Sequence, residues 1–133
     1  MALRMHVDVV SAERLIFTGQ VEQLHVRGEL GELGIFPRHS PLMTSLQPGL
    51  LRLVMPENHT ESYFISSGYL EVQPHVVTVL ADTVIRSEEL DAAAAQAAKE
   101  IEQYDGKKHH LDKELALNIA LLRALDEVKS ATK

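Results

Sequence analysis

The sequence lacks cysteine altogether, has no long apolar run and has no excess of positive charge. Without cysteine there are neither disulfides nor thiolate metal ligands, which excludes a disulfide-stabilised secreted scaffold and favours a reducing compartment. No stretch approaches the roughly 18 consecutive apolar residues of a membrane-spanning helix. The formal net charge of -6 argues against nucleic acid as a partner, because phosphate contacts require a basic face. A neutral or basic partner is easier to accommodate.

The motifs of common catalytic sites are also absent. The segment ISSGY at 65–69 lacks the first glycine and the strand-to-helix context of a nucleophile elbow, and no glycine-rich phosphate loop is present. The seven histidines form no His-x-His pair, so a metal-dependent cupin-like isomerase is only a weak alternative. His109 and His110, beside Asp112, are more typical of a solvated loop than of a divalent-ion site. We therefore predict no catalytic residue, no cofactor and no metal, and a binding or mechanical role.

The composition changes near Arg86. All five prolines and six of the seven glycines precede this residue, whereas ten of the thirteen alanines and every lysine follow it. A length of 133 residues suits one domain with an appendage. The opening MALRMHVDVV alternates from its first residues and leaves no room for a cleavable signal, so we expect the mature chain to begin here. We predict two parts, residues 1–86 and residues 87–133.

Residues 1–86 have the pattern of short strands separated by turns. Apolar residues alternate with polar ones around Val7, Leu51 and Leu70, and residues 63–65 and 76–80 are β-branched or aromatic. Turn formers recur at a spacing of roughly 8–12 residues; they are Gly19, Gly28, Pro48 with Gly49, Pro56, Gly68 and Pro74. The pattern predicts an all-β sandwich, with His75 in a turn.

Residues 87–133 change to a helical period. After Ser87, a candidate cap, apolar residues follow at spacings of three and four before Gly106; they are Leu90, Ala94, Ala97, Ile101 and Tyr104. A second helix is predicted to begin near Asp112, with an apolar face of Leu115, Ile119, Leu122 and Leu125, widened by Leu117 and Leu121 as far as Val128. The predicted fold class is α+β, with an N-terminal all-β sandwich followed by a C-terminal antiparallel two-helix hairpin. Because an alanine seam buries little apolar surface, this hairpin is expected either to separate and re-dock or simply to stay packed on the sandwich.

Several motifs in a fixed order resemble the epsilon subunits of bacterial F-type ATP synthases. They are HVDVVSAE at 6–13, GELGIFPRHSPL at 31–42 with TSLQPG just after it, GYLEVQPHVVTVLADTVIR at 68–86, and the leucine and aspartate at 90–91. The resemblance extends from Met5 to the final lysines. It implies a non-catalytic central-stalk subunit whose sandwich contacts the gamma subunit and the c subunits of the rotor ring. It further implies that the hairpin inhibits ATP hydrolysis by extending among the alpha and beta subunits of the catalytic head. Membrane association would occur only through the complex, on the cytoplasmic face of the bacterial inner membrane.

The resemblance also implies contact residues in the sandwich. Glu32 matches the family's glutamate in the rim turn GELG and is the candidate rotor-ring contact, with Gly31 and Gly34 allowing a close approach or a positive φ. The other candidates for contact with the ring or with gamma are Phe36, His39 and Leu42. Core packing is the alternative for Phe36 and Leu42, and a structural loop hydrogen bond is the alternative for His39. Arg38 departs from the small residue usual at its place.

Two further sets of residues concern the hairpin. Arg123 and Lys129 are candidates for contacting acidic surface on the catalytic subunits, with an ordinary solvated helix face as the alternative. The ATP-binding motif of some family members is degenerate at Leu90, Asp91, Ala94 and Ala95, because alanine replaces the arginine expected at 94. Since a guanidinium pairs bidentately with phosphate, weak or absent ATP sensing is expected. An alternative function is a stand-alone β-sandwich binding module that dimerises through its hairpin.

Overall fold

The computed structural model describes residues 3–103 and 112–131, and within these ranges it describes the side chains of residues 3–99 and 116–128. The described residues form ten strands, which are β1 (Met5–Ser11), β2 (Leu15–Val21), β3 (Gln23–Gly28), β4 (Gly31–Ile35), β5 (Leu42–Leu46), β6 (Gly49–Met55), β7 (His59–Ile65), β8 (Gly68–Val72), β9 (Val77–Ala81) and β10 (Val84–Arg86). Short 3-10 turns occupy Pro56–Asn58 and Ser87–Glu89, and the helices are α1 (Leu90–Gln103) and α2 (Asp112–Ala131).

The strands form one hydrogen-bonded path that folds over on itself. Its order is β10-β7-β6-β3-β5-β8-β9-β1-β2, with β4 paired to β3 at the side. The β1–β9 pair is parallel, and the other pairs are antiparallel. Strand β3 pairs with β6 through residues 23–25 and then reaches β5 only at Gly28, opposite Leu46, where the path turns from one layer to the other. The predicted sandwich and the α+β fold class are confirmed.

The core of the sandwich lies between the two layers and follows from the alternation of each strand. Inward positions of all strands except β10 are buried together, because a period of two places every second side chain on one face. Fully burying each large aliphatic side chain contributes about 1.5–3 kcal/mol. The buried residues are Val7, Val9, Val21, Leu24, Val26, Ile35, Leu46, Leu51, Leu53, Tyr63, Ile65, Leu70, Val72, Val77, Val79 and Ala81.

The predicted break between strands at Gly19 is wrong. Gly19 lies inside β2, directly opposite Val7 of β1. A Cβ built there would stand 3.2 Å from the tip of the Phe17 ring, so the glycine leaves space for that ring on the same face of the strand. By contrast, the predicted breaks at Pro56 and Pro74 are turns, and His75 lies in the turn between β8 and β9 as predicted.

The two helices pack against each other and against the outer face of β6, β7 and β10. Phe64 of β7 is almost fully buried beneath them, together with Leu50 and Ile85 from the neighbouring strands. From the helices, this second cluster takes Leu90, Ala93, Ala97, Leu117, Ala120, Leu121, Ala124, Leu125 and Val128. Among the described residues, no helix combines the length and the apolar character of a membrane span.

Helix α2 begins at Asp112 as predicted, but its buried face is rotated from the predicted one. Ile119 of the predicted face is 38% exposed, whereas Ala120 and Ala124, which were not predicted, pack in the second cluster; the predicted Leu117, Leu121, Leu125 and Val128 pack there too. The predicted face was drawn through large apolar side chains, but small alanines are buried here because they allow close approach of the neighbouring elements. The predicted members Ile101 and Leu115 lie in the helices without described side chains, and Tyr104, His109 and His110 lie outside the described residues. The predicted cap at Ser87 is wrong: Ser87 is the first residue of the 3-10 turn that precedes α1, Arg86 occupies the N-cap position of that turn, and no side chain makes a capping hydrogen bond there.

Candidate partner-binding surfaces

The hairpin between β3 and β4 ends in a two-residue turn formed by Glu29 and Leu30, since Gly28 and Gly31 are cross-strand partners. The prediction that GELG forms this turn is wrong, because Gly31–Ile35 is strand β4. Gly31 nevertheless has the expected positive φ, +128°, where an L side chain would be strained. Gly34 has no such need for glycine, because a Cβ there would meet Nδ1 of His25 at 3.4 Å, an ordinary contact distance.

Leu30 is the most exposed large apolar residue of the described chain, at 102% of its reference surface. The turn that presents it is anchored to β5 through Glu29. The Glu29 amide donates to the Ser45 carbonyl at 3.1 Å, and the Ser45 hydroxyl donates to the Glu29 carboxylate at 3.0 Å. The hairpin tip therefore holds an apolar side chain next to an acidic one in a fixed geometry, an arrangement suited to contact with another molecule.

Glu32 is exposed on the outward side of β4 and is paired across the strands with Arg27. Its charge acts on His25, which lies on the outward side of β3. Burial and the charge of Arg52 lower the pKa of His25 below its usual value, and Glu32 opposes this shift. The Glu32 carboxylate is thus on the surface, on a face of the sheet that carries charges of both signs, and it interacts electrostatically with His25.

Phe36 and His39 bracket the turn that follows β4. Phe36 is 44% exposed and meets the His25 ring edge-on, with 6.0 Å between the ring centroids. The His39 amide donates to the Phe36 carbonyl at 3.1 Å, and Nδ1 of His39 lies 2.7 Å from the Ser40 carbonyl and donates to it. These are the hydrogen bonds expected if His39 stabilises the loop, which was the alternative to a subunit contact. Leu42 is half-buried and packs on the sandwich core opposite Val72.

The structure does not bring the four sandwich candidates into one cluster. Glu32 lies on the outward side of β4 and Phe36 directly after the end of that strand, four residues or roughly 13 Å away at the rise of a strand. Glu32 adjoins the Glu29–Leu30 tip, whereas Phe36, His39 and Leu42 lie towards the opposite end of the sandwich. Glu32 therefore lies with the tip and the other three with the far end of the sandwich, although Glu32 and Phe36 both neighbour His25.

A third surface was missed by the sequence analysis, and we call it the outer apolar patch. Leu15, Val10, Leu80 and Tyr69 are successive cross-strand partners from β2 through β1 and β9 to β8. Leu15, Leu80 and Tyr69 are 55%, 49% and 57% exposed, and Met43, on β5 and diagonal to Tyr69, is 67% exposed. One signal was available: Leu80 and Tyr69 are apolar at the outward positions of strands whose inward positions are apolar as well.

Arg123 and Lys129, the candidates in the helical hairpin, lie on the side of the molecule opposite the outer apolar patch. Arg123 is exposed and lines a cavity of about 340 Å³ between α2 and the turns at Glu29 and Gln47, together with Glu127. Lys129 lies in α2, and its side chain lies outside the described set. A larger cavity of about 1070 Å³ separates the end of α2 from the sheet, and residues of opposite charge line it, Arg52 from the sheet and Asp126 from the helix.

The four positions of the degenerate ATP motif alternate around the first turns of α1. Leu90 and Ala94 are buried against the rest of the molecule, and Asp91 and Ala95 are exposed. Because Ala94 is only 2% exposed, a guanidinium at this position would not fit the present packing of the helices.

A polar cluster on the outward side of β1 and β2 has the residue types of a catalytic relay but not its geometry. The hydroxyl of Thr18 donates to the Asp8 carboxylate at 2.6 Å, and Nε2 of His6 is 2.9 Å from the same carboxylate oxygen. The hydrogen bond from Thr18 is the largest cause that lowers the pKa of Asp8; burial opposes it, and the hydrogen bond and charge of His6 lower the pKa further. Since Thr18 and Asp8 both meet the same nitrogen of His6, the imidazole cannot relay a proton between them.

Comparison with known proteins gives consistent results. The family model described as the beta-sandwich domain of the ATP synthase delta/epsilon chain matches residues 4–87. An ATP synthase epsilon chain from Nitrosococcus oceani is 49% identical over 136 aligned residues, which cover 97% of both chains.

Two solved structures share the fold. A chain of the Euglena gracilis mitochondrial ATP synthase, in an OSCP/F1/c-ring structure, superposes with a TM-score of 0.72 at 18% identity, covering 98% of this chain and 82% of that one. A chain of the Tetrahymena thermophila mitochondrial ATP synthase central stalk and c-ring gives 0.66 at 11% identity, covering 93% and 98%. At these identities the likeness concerns the fold, whereas the near-complete match at 49% identity concerns the family. The chain belongs to the family of ATP synthase epsilon chains.

Proposed function

We propose that this chain couples rotation of the rotor ring to ATP synthesis in the catalytic head without catalysing a reaction itself, and that α1 and α2 inhibit ATP hydrolysis. The observation that supports this most is the 49% identity with an epsilon chain over 97% of the sequence. The partners are the gamma subunit, the c subunits of the ring, and the alpha and beta subunits of the head. The chain lies on the cytoplasmic face of the bacterial inner membrane, held there by the complex. Residues 1–86 bind the stalk and ring, and residues 87–133 regulate.

The outer apolar patch fits the gamma subunit. The chain's own helices cover the outer face of β6, β7 and β10, but the outer face of β8, β9 and β1 keeps Tyr69 and Leu80 in contact with solvent. Tyrosine and methionine are enriched in the cores of protein interfaces, where apolar surface is buried by a partner. The opposite, helix-covered face is not available to gamma while the hairpin is docked.

The Glu29–Leu30 tip, with Glu32 beside it, fits the loops of the rotor ring. Leu30 supplies apolar contact area, and the two carboxylates supply charge complementarity to polar or basic loops. The tip is anchored by two hydrogen bonds to Ser45, so little order has to be gained when it binds.

The docked hairpin is suited to a second, extended position. Four of the helix residues in its contact with the sandwich are alanines, which bury little surface each; the others are Leu90, Leu117, Leu121, Leu125 and Val128. Arg123 faces a cavity beside Glu127 in the docked state and is free to meet acidic surface of the head once α2 leaves the sheet. The buried Ala94 supports the absence of an ATP-dependent control of this movement.

The test is recovery of a tagged full-length chain from detergent-solubilised membranes. Co-purification of gamma, ring and head subunits in fixed proportion is expected. The alternative of a dimerising module predicts a stable dimer that contains no other subunit, although the apolar face of the hairpin is already covered by the sandwich. Such a dimer, recovered without synthase subunits, would overturn the proposed function.

A further inference from the structure

The end of the sandwich away from the Glu29–Leu30 tip contains a cavity of about 330 Å³. The residues entering β1, the turn after β4 and the turn between β8 and β9 enclose it. Within the described parts of the chain, no carboxylate lines this cavity, whereas five basic side chains do: Arg4, His6, Arg38, His39 and His75.

This local charge is opposite to that of the whole chain, which has a formal net charge of -6. Guanidinium groups gathered without a carboxylate repel each other, and an anion between them removes that repulsion. His6 contributes less than the others, because its Nε2 is engaged by Asp8 outside the cavity lining. The principal cations are therefore Arg4 and Arg38, which come from separate parts of the sequence.

Arg38 is held in a backbone conformation that a residue with a side chain seldom adopts. Its φ is +69°, in the left-handed region where glycine is favoured. The turn is fixed by the bond from the His39 amide to the Phe36 carbonyl, and the His39 ring is fixed by its bond to the Ser40 carbonyl. An arginine at such a position costs conformational free energy, and its guanidinium is presented by a pre-ordered turn.

We propose that this cavity binds a phosphate group, with Arg38 and Arg4 as its main ligands. Guanidinium groups match the oxygens of phosphate through paired, charge-assisted hydrogen bonds. Inorganic phosphate and the headgroup of an anionic phospholipid both carry this group, and the two experiments below distinguish them. We call this cavity the phosphate cavity.

The first experiment titrates inorganic phosphate into the full-length chain, at an ionic strength kept constant with chloride, while backbone amide signals are recorded. Saturable shifts are expected around residues 4, 38, 39 and 75. Arg38→Gly and Arg4→Gln should each weaken binding roughly tenfold, the usual effect of removing a charge-assisted contact. Arg14→Gln is the matched control, because it removes the same charge beyond the other end of β1 and should bind like the wild type.

Folding is separated from binding by the same variants. Glycine accepts the left-handed backbone of position 38, so Arg38→Gly should unfold at a temperature no lower than that of the wild type. Weaker binding by a variant that is at least as stable then reports loss of the guanidinium.

The second experiment replaces phosphate by vesicles made of equal parts of phosphatidylglycerol and phosphatidylcholine, with pure phosphatidylcholine vesicles for comparison. Binding to the anionic vesicles that depends on Arg38 identifies a lipid headgroup, and binding of inorganic phosphate alone identifies the free anion. The proposal is overturned if the chain binds neither probe, or if Arg38→Gly and Arg14→Gln lose affinity equally. Occupation of the cavity by an acidic segment of a partner subunit, with no binding of either probe, would likewise overturn it.

Discussion

Tyr69 of β8 and Leu80 of β9 are direct cross-strand partners on a face of the sandwich that the chain's own helices leave open. An apolar tyrosine–leucine pair at this position adds nothing to the core, since both side chains point away from it. It is therefore a sensitive place to test whether the outer apolar patch binds the gamma subunit.

Replacing Tyr69 or Leu80 by serine should weaken binding to gamma by roughly 5–30-fold, because a truncated interface anchor usually costs about 1–2 kcal/mol or more. Thermal stability should change little. The affinity of purified gamma for the chain is measured by calorimetry. Leu30→Ser is the matched control, since it removes an even more exposed leucine, at the tip of the β3–β4 hairpin. If Leu30→Ser weakens gamma binding as much as the patch variants do, the patch is not the specific contact.

Glu32→Lys should weaken association with the rotor ring, because a carboxylate at a close polar contact is replaced by a longer group of opposite sign. Assembly with gamma and the head should survive. Glu57→Lys, in the turn between β6 and β7, makes the same charge change at the other end of the sandwich and serves as the control. Proton-driven ATP synthesis in membranes is the measurement. Unchanged synthesis with Glu32→Lys would remove this residue from the ring contact.

Millimolar ATP should not raise the unfolding temperature of the isolated chain. The arginine of the ATP motif is replaced by Ala94, and the buried position of Ala94 leaves no room for a phosphate ligand in the docked hairpin. Ala94→Arg should therefore lower stability in the absence of ATP rather than create a simple binding site. A saturable thermal shift of the wild-type chain by ATP would contradict this expectation.

Stability should fall on mild acidification because of His25. Burial first, and the charge of Arg52 second, lower the pKa of His25 in the folded chain, so the unfolded chain takes up this proton at a higher pH. The stabilisation is complete above the usual histidine value of 6.5 and is lost as the pH falls from there towards the lowered pKa. His25→Gln should show a smaller loss than the wild type between about pH 7.5 and 5 in urea unfolding. His75→Gln, an exposed turn residue, is the control; parallel losses in wild type and His25→Gln would refute the assignment.

The contrast between correct and wrong predictions has a physical origin. The alternation around Val7 and Leu70 and the start of α2 at Asp112 follow from local periods, so they can be predicted from single segments. Gly19 was misplaced because a glycine inside a strand and a glycine in a turn look alike until its neighbours in space are known. The exposure of a side chain likewise depends on the tertiary structure, so it cannot be predicted from a single segment.

Two surfaces could not be predicted from the sequence, again because the neighbours of their residues in space are known only from the fold. Leu15, Leu80 and Tyr69 become one surface only when β1 joins β2 to β9, and Arg4 and Arg38 line one cavity only in the folded sandwich. Glu32 was identifiable through its resemblance to a known motif. The position of Glu32 in a strand and its distance from His39 could not be predicted in this way.

The central claim is that the hairpin inhibits ATP hydrolysis, and the most direct measurement is the ATPase activity of purified complexes at matched subunit content. Complexes with a chain ended before Leu111, which removes α2, should hydrolyse ATP faster than complexes with the full chain, and Arg123→Glu should give part of that increase. Equal hydrolysis rates for full-length and shortened chains would contradict the account and leave the hairpin a structural appendage of the sandwich.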